Sequence, residues 1–394
     1  MAARPASMRT NPGVMRELNR GLLLDIAKRE GPLSRADLAK SSQLAKPTVS
    51  AIVEGLLEDG LLREIGTGPT SGGGRHPILL EFNPRSQFVV GVHVGARAIT
   101  AVLADGVGEE IGRTRLDTPA GSPHAVLTAV TEAADALIRR ARVARKRVVG
   151  LGIGIPGQVE TRSGVCYAAP QLGWQDVAVA DELRDTLKLP VFVRNVAQCV
   201  VLAEHRHGAA TDADSAVVFL EDQGIAAALL TDGTLFHGTQ GIAGDVGHIR
   251  LHGVTTECSC GGRGCLEAIA SGAGLARRAA EATGTEYPAD DVFAGLADDD
   301  DPGITELLAK VGQELGIAAS WLLNLYNPDV LVVAGGFLDA GEALLAPLRE
   351  TALECASGQV GATVRVRTGA LGADAPALGA VLVALNEAER TSRA

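Results

Sequence analysis

The sequence predicts an α/β protein in two parts, a small helical module closed by a β-hairpin and a larger two-lobed body built from a repeated unit. Three observations carry this expectation. Over the first 60 positions apolar residues recur at helical spacing, and a glycine-rich stretch then separates two short apolar runs. From Phe88 onward, triplets of short Val/Ile/Ala strands are followed by helical segments, twice over, which points to a duplicated unit with a cleft between lobes. Finally, 394 residues, 46% hydrophobic and 3% aromatic, are too many for one ordinary domain and enough for sizeable aliphatic cores.

In the head, Met15, Leu18, Leu22, Leu23 and Ile26 form the apolar stripe of a first helix, which Gly31-Pro32 breaks. Ser34 followed by Asp37 reads as an N-cap with an acidic third position and opens a short second helix through Leu38 and Ala39. After Ser42-Gln43-Leu44, Lys46-Pro47 starts a third helix, since proline is tolerated in a first turn. Val49, Ile52, Val53, Leu56 and Leu57 form its buried stripe, while Lys46, Thr48, Ser50 and Glu54 lie opposite. Three short helices, the last with small polar residues near its start, match the helix-turn-helix plan, in which that end meets bases and phosphates. Leu61 to Ile65 and Ile78 to Phe82 are strands flanking a glycine-rich wing, with Arg75 and His76 placed to reach a phosphate or the minor groove. A helical module for protein interaction alone is the blander alternative.

In the body, Phe88 to Val94, Ile99 to Ala104 and Ile111 to Arg115 read as strands, with Asp105-Gly106 as a turn. A helix around His124 to Arg142 precedes the strand Val148 to Ile155. Ala216 to Leu220 and Ile225 to Thr231 repeat the pattern around Asp232-Gly233, and a helix to Leu325 leads into Val330 to Ala334.

The net charge of −11 is unevenly spread: residues 1–85 hold twelve basic against nine acidic residues, the remainder 24 against 38. A mildly basic head on an acidic body fits a DNA-binding module on a sensor. No charged segment followed by an apolar run opens the chain, and the longest apolar stretch is interrupted by Asn327-Pro328-Asp329, so a cytoplasmic protein without a membrane partner is expected. Of six cysteines, Cys258, Cys260 and Cys265 crowd into eight residues, and His248 lies ten residues upstream. Three thiolates and an imidazole make a closed tetrahedral zinc site, structural in type and one ion per chain; three reduced cysteines in a loop are the alternative.

Gly152-Ile-Gly-Ile-Pro-Gly157, Leu172-Gly-Trp174, Gly241-Ile-Ala-Gly-Asp-Val-Gly-His248 and Cys258-Ser-Cys-Gly-Gly-Arg-Gly-Cys-Leu-Glu267 together resemble the ROK family of repressors, open reading frames and sugar kinases. The resemblance runs from about residue 12 to 390 and is most specific in the cysteine motif. It implies an actin-like, hexokinase-like (duplicated ribonuclease H-like) body behind a winged helix-turn-helix, and the same four zinc ligands. The head and the Gly-Gly-Gly-Arg-His-Pro wing resemble the repressor branch. The expected division is residues 1–85 for the head and wing, 86–194 with 374–394 for a smaller lobe, and 195–373 for a larger lobe carrying the zinc loop.

Against that family the chain lacks kinase machinery. The kinases' Asn-Asp pair, whose aspartate is the general base, reads Asn195-Val196, and a positioned base contributes roughly 10²–10⁴ in rate. The first phosphate loop, usually Asp-x-Gly-Gly-Thr-Lys, reads His93-Val-Gly95-Ala-Arg-Ala98, and the second, Gly-Thr-Gly-x-Gly, reads Asp222-Gln-Gly224-Ile-Ala226. No catalysis and no ATP are therefore expected; Gly335-Gly336 alone survives near the adenosine pocket. The resemblance implies sugar contacts from Asn195, Asp245 (usually Glu in the family), His248 and Glu267, although Asn195 capping a helix and His248 serving zinc alone would also account for two of them. The expectation is a homodimeric or homotetrameric regulator on a pseudo-palindromic DNA duplex, sensing a small sugar or derivative. Because valine replaces the aspartate facing the hexose hydroxymethyl arm, a pentose is favoured. An active sugar kinase and a regulator governed by a protein partner are the rival readings.

Overall fold

The structure, a computed structural model, describes residues 12–69, 76–222 and 224–393. Arg75 and Gln223 lie outside the described residues.

In the head, helices α1 (Pro12–Glu30), α2 (Arg35–Ser42) and α3 (Lys46–Glu58) enclose Leu23, Ile26, Leu38, Val49, Val53 and Leu56, all buried. A reciprocal capping box opens α2: Ser34 Oγ accepts from the Asp37 N–H at 3.2 Å, and the Asp37 carboxylate accepts from the Ser34 N–H at 3.0 Å. The Ser34 hydrogen bonds hold Asp37 below its ordinary carboxylate value. Strands β1 (Leu33–Ser34), β2 (Leu62–Thr67) and β3 (Ile78–Phe82) form a small sheet in the order β1-β3-β2, with β2 and β3 as the wing hairpin. The stripe expected on α1 is only half buried. Leu23 and Ile26 enter the core, but Met15, Leu18 and Leu22 are 41%, 40% and 38% exposed. The partners of α1 in the head, α2, α3 and β3, leave those three side chains largely uncovered.

The body contains two five-stranded sheets of one topology. The first is built from β4 (Phe88–Val94), β5 (Ala98–Asp105), β6 (Glu110–Asp117), β7 (Val148–Ile155) and β11 (Val191–Asn195), in the order β11-β7-β4-β5-β6. Between β7 and β11 lie a small sheet, β8 (Gln158–Glu160), β9 (Val165–Ala169) and β10 (Trp174–Val177), and helix α5 (Val179–Leu187); α4 (Pro123–Arg140) precedes β7. The second sheet runs β14-β13-β12-β15-β16, from β12 (Ser215–Glu221), β13 (Ile225–Thr231), β14 (Thr234–Leu235), β15 (Val330–Gly335) and β16 (Arg365–Thr368). In each, a three-stranded antiparallel meander is extended by two parallel strands. That is the duplication expected from the strand triplets.

Helices α4 and α5 share the core of the first sheet. On the outer side of the second lie α7 (Glu267–Ala270), α8 (Gly272–Thr283), α9 (Val292–Ala297), α10 (Pro302–Tyr326) and α11 (Glu342–Cys355), with the short α12 (Gly358–Thr363) leading into β16. Helices α6 (Val196–His207) and α13 (Ala375–Arg393) share a third core that joins both sheets. Two glycines permit this layer. A Cβ at Gly152 would lie 2.0 Å from the Ala380 carbonyl, and one at Gly379 1.9 Å from the Cys199 carbonyl, so any larger residue forces the backbones apart. Lys28 of α1 pairs with Glu389 of α13 at 2.6 Å and lies over the Phe82 ring, tying head to body. Among the described residues no helix is long and apolar enough to cross a membrane.

Candidate functional site

Gly157, Gln158, Asn195 and the segment from Gly241 to Asp245 wall a pocket between the sheets. Its volume of about 20 Å³ admits little more than one water and falls far below the roughly 300 Å³ of a small-molecule site. A sugar enters only if the walls part.

Asn195 ends β11 and caps α6. Its amide oxygen accepts from the Ala197 N–H at 2.8 Å, and its NH₂ donates to the Gly157 carbonyl at 2.7 Å. Asp245 accepts from Gln158 Nε2 at 2.7 Å. His248 stands behind it, with Nε2 3.9 Å from Asp245 Oδ1 and Nδ1 turned the other way. Glu267 does not line the pocket: at the start of α7 its carboxylate accepts from the Ile225 N–H at 3.1 Å and the Ser259 hydroxyl at 3.3 Å. Of the four expected sugar contacts, the structure brings Asn195 and Asp245 to the wall and places His248 and Glu267 outside the lining. Gln158, which orients Asp245, was not singled out from the sequence; its place directly after the Gly-Ile-Pro-Gly turn was the one available signal.

His248, Cys258, Cys260 and Cys265 converge, with their ligand atoms all within 4.8 Å of one another. The Cys260 and Cys265 sulfurs are 3.7 Å apart, and His248 Nδ1 is 3.7 Å from Cys258 Sγ. Bonds of ~2.3 Å from a tetrahedral zinc would set thiolates roughly 3.8 Å apart, so the donor set and its spacing fit that ion. The loop folds back through bridges between Arg250 and Cys265 and between Glu257 and Arg263. Burial and the neighbouring thiols push the Cys265 thiol up, while the Gly262 N–H and the neighbouring thiols hold the Cys260 thiol down. The same imidazole thus faces the cysteines with one nitrogen and Asp245 with the other.

Beyond the ends of β4 and β12 the chain meets itself. His93, at the end of β4, lies 3.3 Å from Asp222, just beyond β12. Arg97, in the β4–β5 hairpin, pairs with Asp290 and Asp291, each at 2.9 Å. Val196 is 3% exposed and offers no base. Glu221 is buried beside Gly336, accepts from the Gly272 N–H at 3.2 Å, and burial raises it to about 8.

On the head, Lys46 and Thr48 are exposed at the start of α3 and Ser50 is half-buried. The N-cap residue Ala45 makes no side-chain cap, so of the first turn of α3 the Lys46 and Thr48 N–H groups are left uncapped, Pro47 having none. His76 is exposed, its Nδ1 2.9 Å from the Gly68 carbonyl.

A sequence profile of the ROK family matches residues 89–387. The chain is 28% identical over 365 residues to the xylose repressor of Bacillus subtilis, covering 93% of this chain and 94% of that protein. It is 32% identical over 312 residues to a glucokinase of Halalkalibacterium halodurans, covering 74% of this chain and 93% of the kinase. A crystal structure described as a ROK family transcriptional regulator, homologous to an Escherichia coli protein named MLC, superposes with a TM-score of 0.82 at 24% identity, covering 96% of this chain and 99% of that one.

Proposed function

As the chain belongs to the ROK family, we propose that it is a DNA-binding transcriptional regulator of carbohydrate genes, a repressor whose kinase-like body senses a small sugar without phosphorylating it. The observation that carries this reading is the head. The glucokinase leaves about a quarter of the chain unmatched, whereas the xylose repressor matches almost all of it. The head holds a capped second helix, a three-residue turn through left-handed Gln43, and a third helix with an exposed, uncapped start. Lys46, Thr48, Ser50, Arg75 and His76 are the proposed DNA contacts, on a pseudo-palindrome read by two heads of a homodimer or homotetramer.

We divide the chain at the boundaries expected above, residues 1–85, 86–194 with 374–394, and 195–373. Asn195 and Asp245 hold the effector once the lobes part, with His248 and Glu267 as further candidate contacts; the effector is a sugar, favoured as a pentose. His248, Cys258, Cys260 and Cys265 would hold one structural zinc ion, whose role is to bind the loop into a fixed shape. The lack of kinase activity rests on Val196 and on carboxylates where phosphates would need positive charge.

Selection from random duplexes by the full-length protein is expected to enrich a two-fold symmetric site, with release on adding xylose. ATP turnover is expected to stay at background across a panel of sugars. Failure to enrich any duplex would overturn the regulator reading, and sugar-dependent ATP turnover would restore the kinase.

A further inference from the structure

The wall segment from Gly241 to Asp245 is reached through His237, Gly238 and Thr239, and these three line a second cavity. At about 580 Å³ it has the size of a small-molecule site, which the ligand pocket in this state does not. The opposite walls come from Arg162, from Arg194 in β11, and from Glu387 and Arg390 in α13.

Its charge is one-sided. Arg194 is 5% exposed, donates to the Thr161 carbonyl and pairs with Glu387 at 2.7 Å, while Arg390 leans on the same carboxylate oxygen at 3.2 Å. One carboxylate therefore serves two guanidiniums, and Arg162 adds a third charge at the rim. Arg184, also in the wall, is matched by Asp181 outside it. His237 Nδ1 is buried with no hydrogen-bond partner, an expensive state for a polar atom. Burial and the guanidiniums of Arg194 and Arg390 hold that imidazole below its ordinary value, a repulsion that an arriving anion would cancel.

We propose that this cavity is a binding site for a phosphate group, as the free ion or as a small phosphate ester, gripped by Arg162, Arg194 and Arg390. Arginine's planar fork suits such a group. The site also has a route to the ligand pocket: the Ala243 N–H donates to the His237 carbonyl at 3.2 Å, and Gln198 Nε2 donates to the Gly241 carbonyl at 3.0 Å. Fixing one end of this segment fixes the wall at its other end.

The test is calorimetry on the full-length protein in phosphate-free buffer of low ionic strength, with inorganic phosphate, glycerol 3-phosphate and glycerol as probes. At least one phosphate-bearing probe is expected to bind at one per chain, and glycerol is not. Preference between the two bound forms identifies the source. Arg390→Gln and Arg162→Gln, both at the open side, are each expected to weaken binding about tenfold or more, with unchanged thermal midpoints. Arg113→Gln, remote from the cavity, should bind as the parent does. No heat from either phosphate probe at millimolar concentration, or equal binding by both cavity variants and the parent, would overturn the site. The readout involves neither DNA nor sugar, so it stands apart from the regulator reading.

Discussion

Val196 begins α6 directly after Asn195, with its side chain packed in the layer between the sheets. We propose, from the resemblance to the kinases, that position 196 meets the hydroxymethyl arm of a hexose once the lobes part; valine would then leave that hydroxyl unpaired, and a charged hydrogen bond is worth roughly 1.5–3 kcal/mol. At about 1.4 kcal/mol per tenfold, a hexose would on that proposal lose at least an order of magnitude that a pentose would not. Calorimetry is expected to show xylose binding more tightly than glucose, and Val196→Asp narrowing the gap without restoring phosphoryl transfer. Tighter parent binding of glucose than of any pentose would refute this. Glu221 gives a pH effect of defined sign. Burial raises it from 4.5 to about 8, so its contribution to stability is complete below the ordinary glutamate range and is lost as pH rises through about 8. Thermal midpoints should fall on going from mildly acid to mildly alkaline buffer, and Glu221→Gln should flatten that slope. An identical slope in the variant would remove Glu221 as the cause.

Single elements were legible where one local rule dominates. Phe88–Val94, Val148–Ile155 and Ile225–Thr231 have the bounds their aliphatic runs predict, because turn residues punctuate them. Ser34 and Asp37 announce α2 through the capping box. The sheet of β8 to β10 was not anticipated: its strands are three to five residues long, and only pairing with one another gives them a pattern. The α1 stripe misled because periodicity marks an apolar face without saying how much of it finds a partner. Two tests belong here. Lys46→Ala at the uncapped start of α3 is expected to weaken DNA binding and reduce its dependence on salt by about one counterion; an unchanged salt slope would count against α3 as the reading helix. Cys260→Ser is expected to lose zinc, measured by elemental analysis, and to lower the thermal midpoint. Zinc-free parent protein, freshly purified without chelator, would sink the metal assignment.

At the scale of the molecule, the duplication was visible as repeated strand triplets, but the contacts that set the cleft were not. His93 and Asp222 are 129 residues apart in sequence, and Arg97 and Asp290 are 193 apart. No local pattern pairs such positions. The same holds for the basic cavity, assembled from segments around residues 162, 194, 237 and 390 that only the stacking of α6 and α13 between two sheets brings together. Composition did foretell how that stack is made. A chain with 3% aromatics and 48 glycines builds its interior by close backbone approach, as at Gly152 and Gly379.

The bars across the cleft, His93 on Asp222 and Arg97 on Asp290 and Asp291, have a physiological corollary. A sugar kinase reports on two pools at once, because its lobes close on fuel and on phosphoryl donor together. We propose that in this chain the second pool is written out of the circuit, the donor's seat being taken by fixed carboxylates and their cationic partners. On that proposal the resting position of the lobes is independent of the cell's energy charge. A gene switch built this way would report whether a carbohydrate has arrived, and would stay deaf to whether the cell is starved or replete when it does.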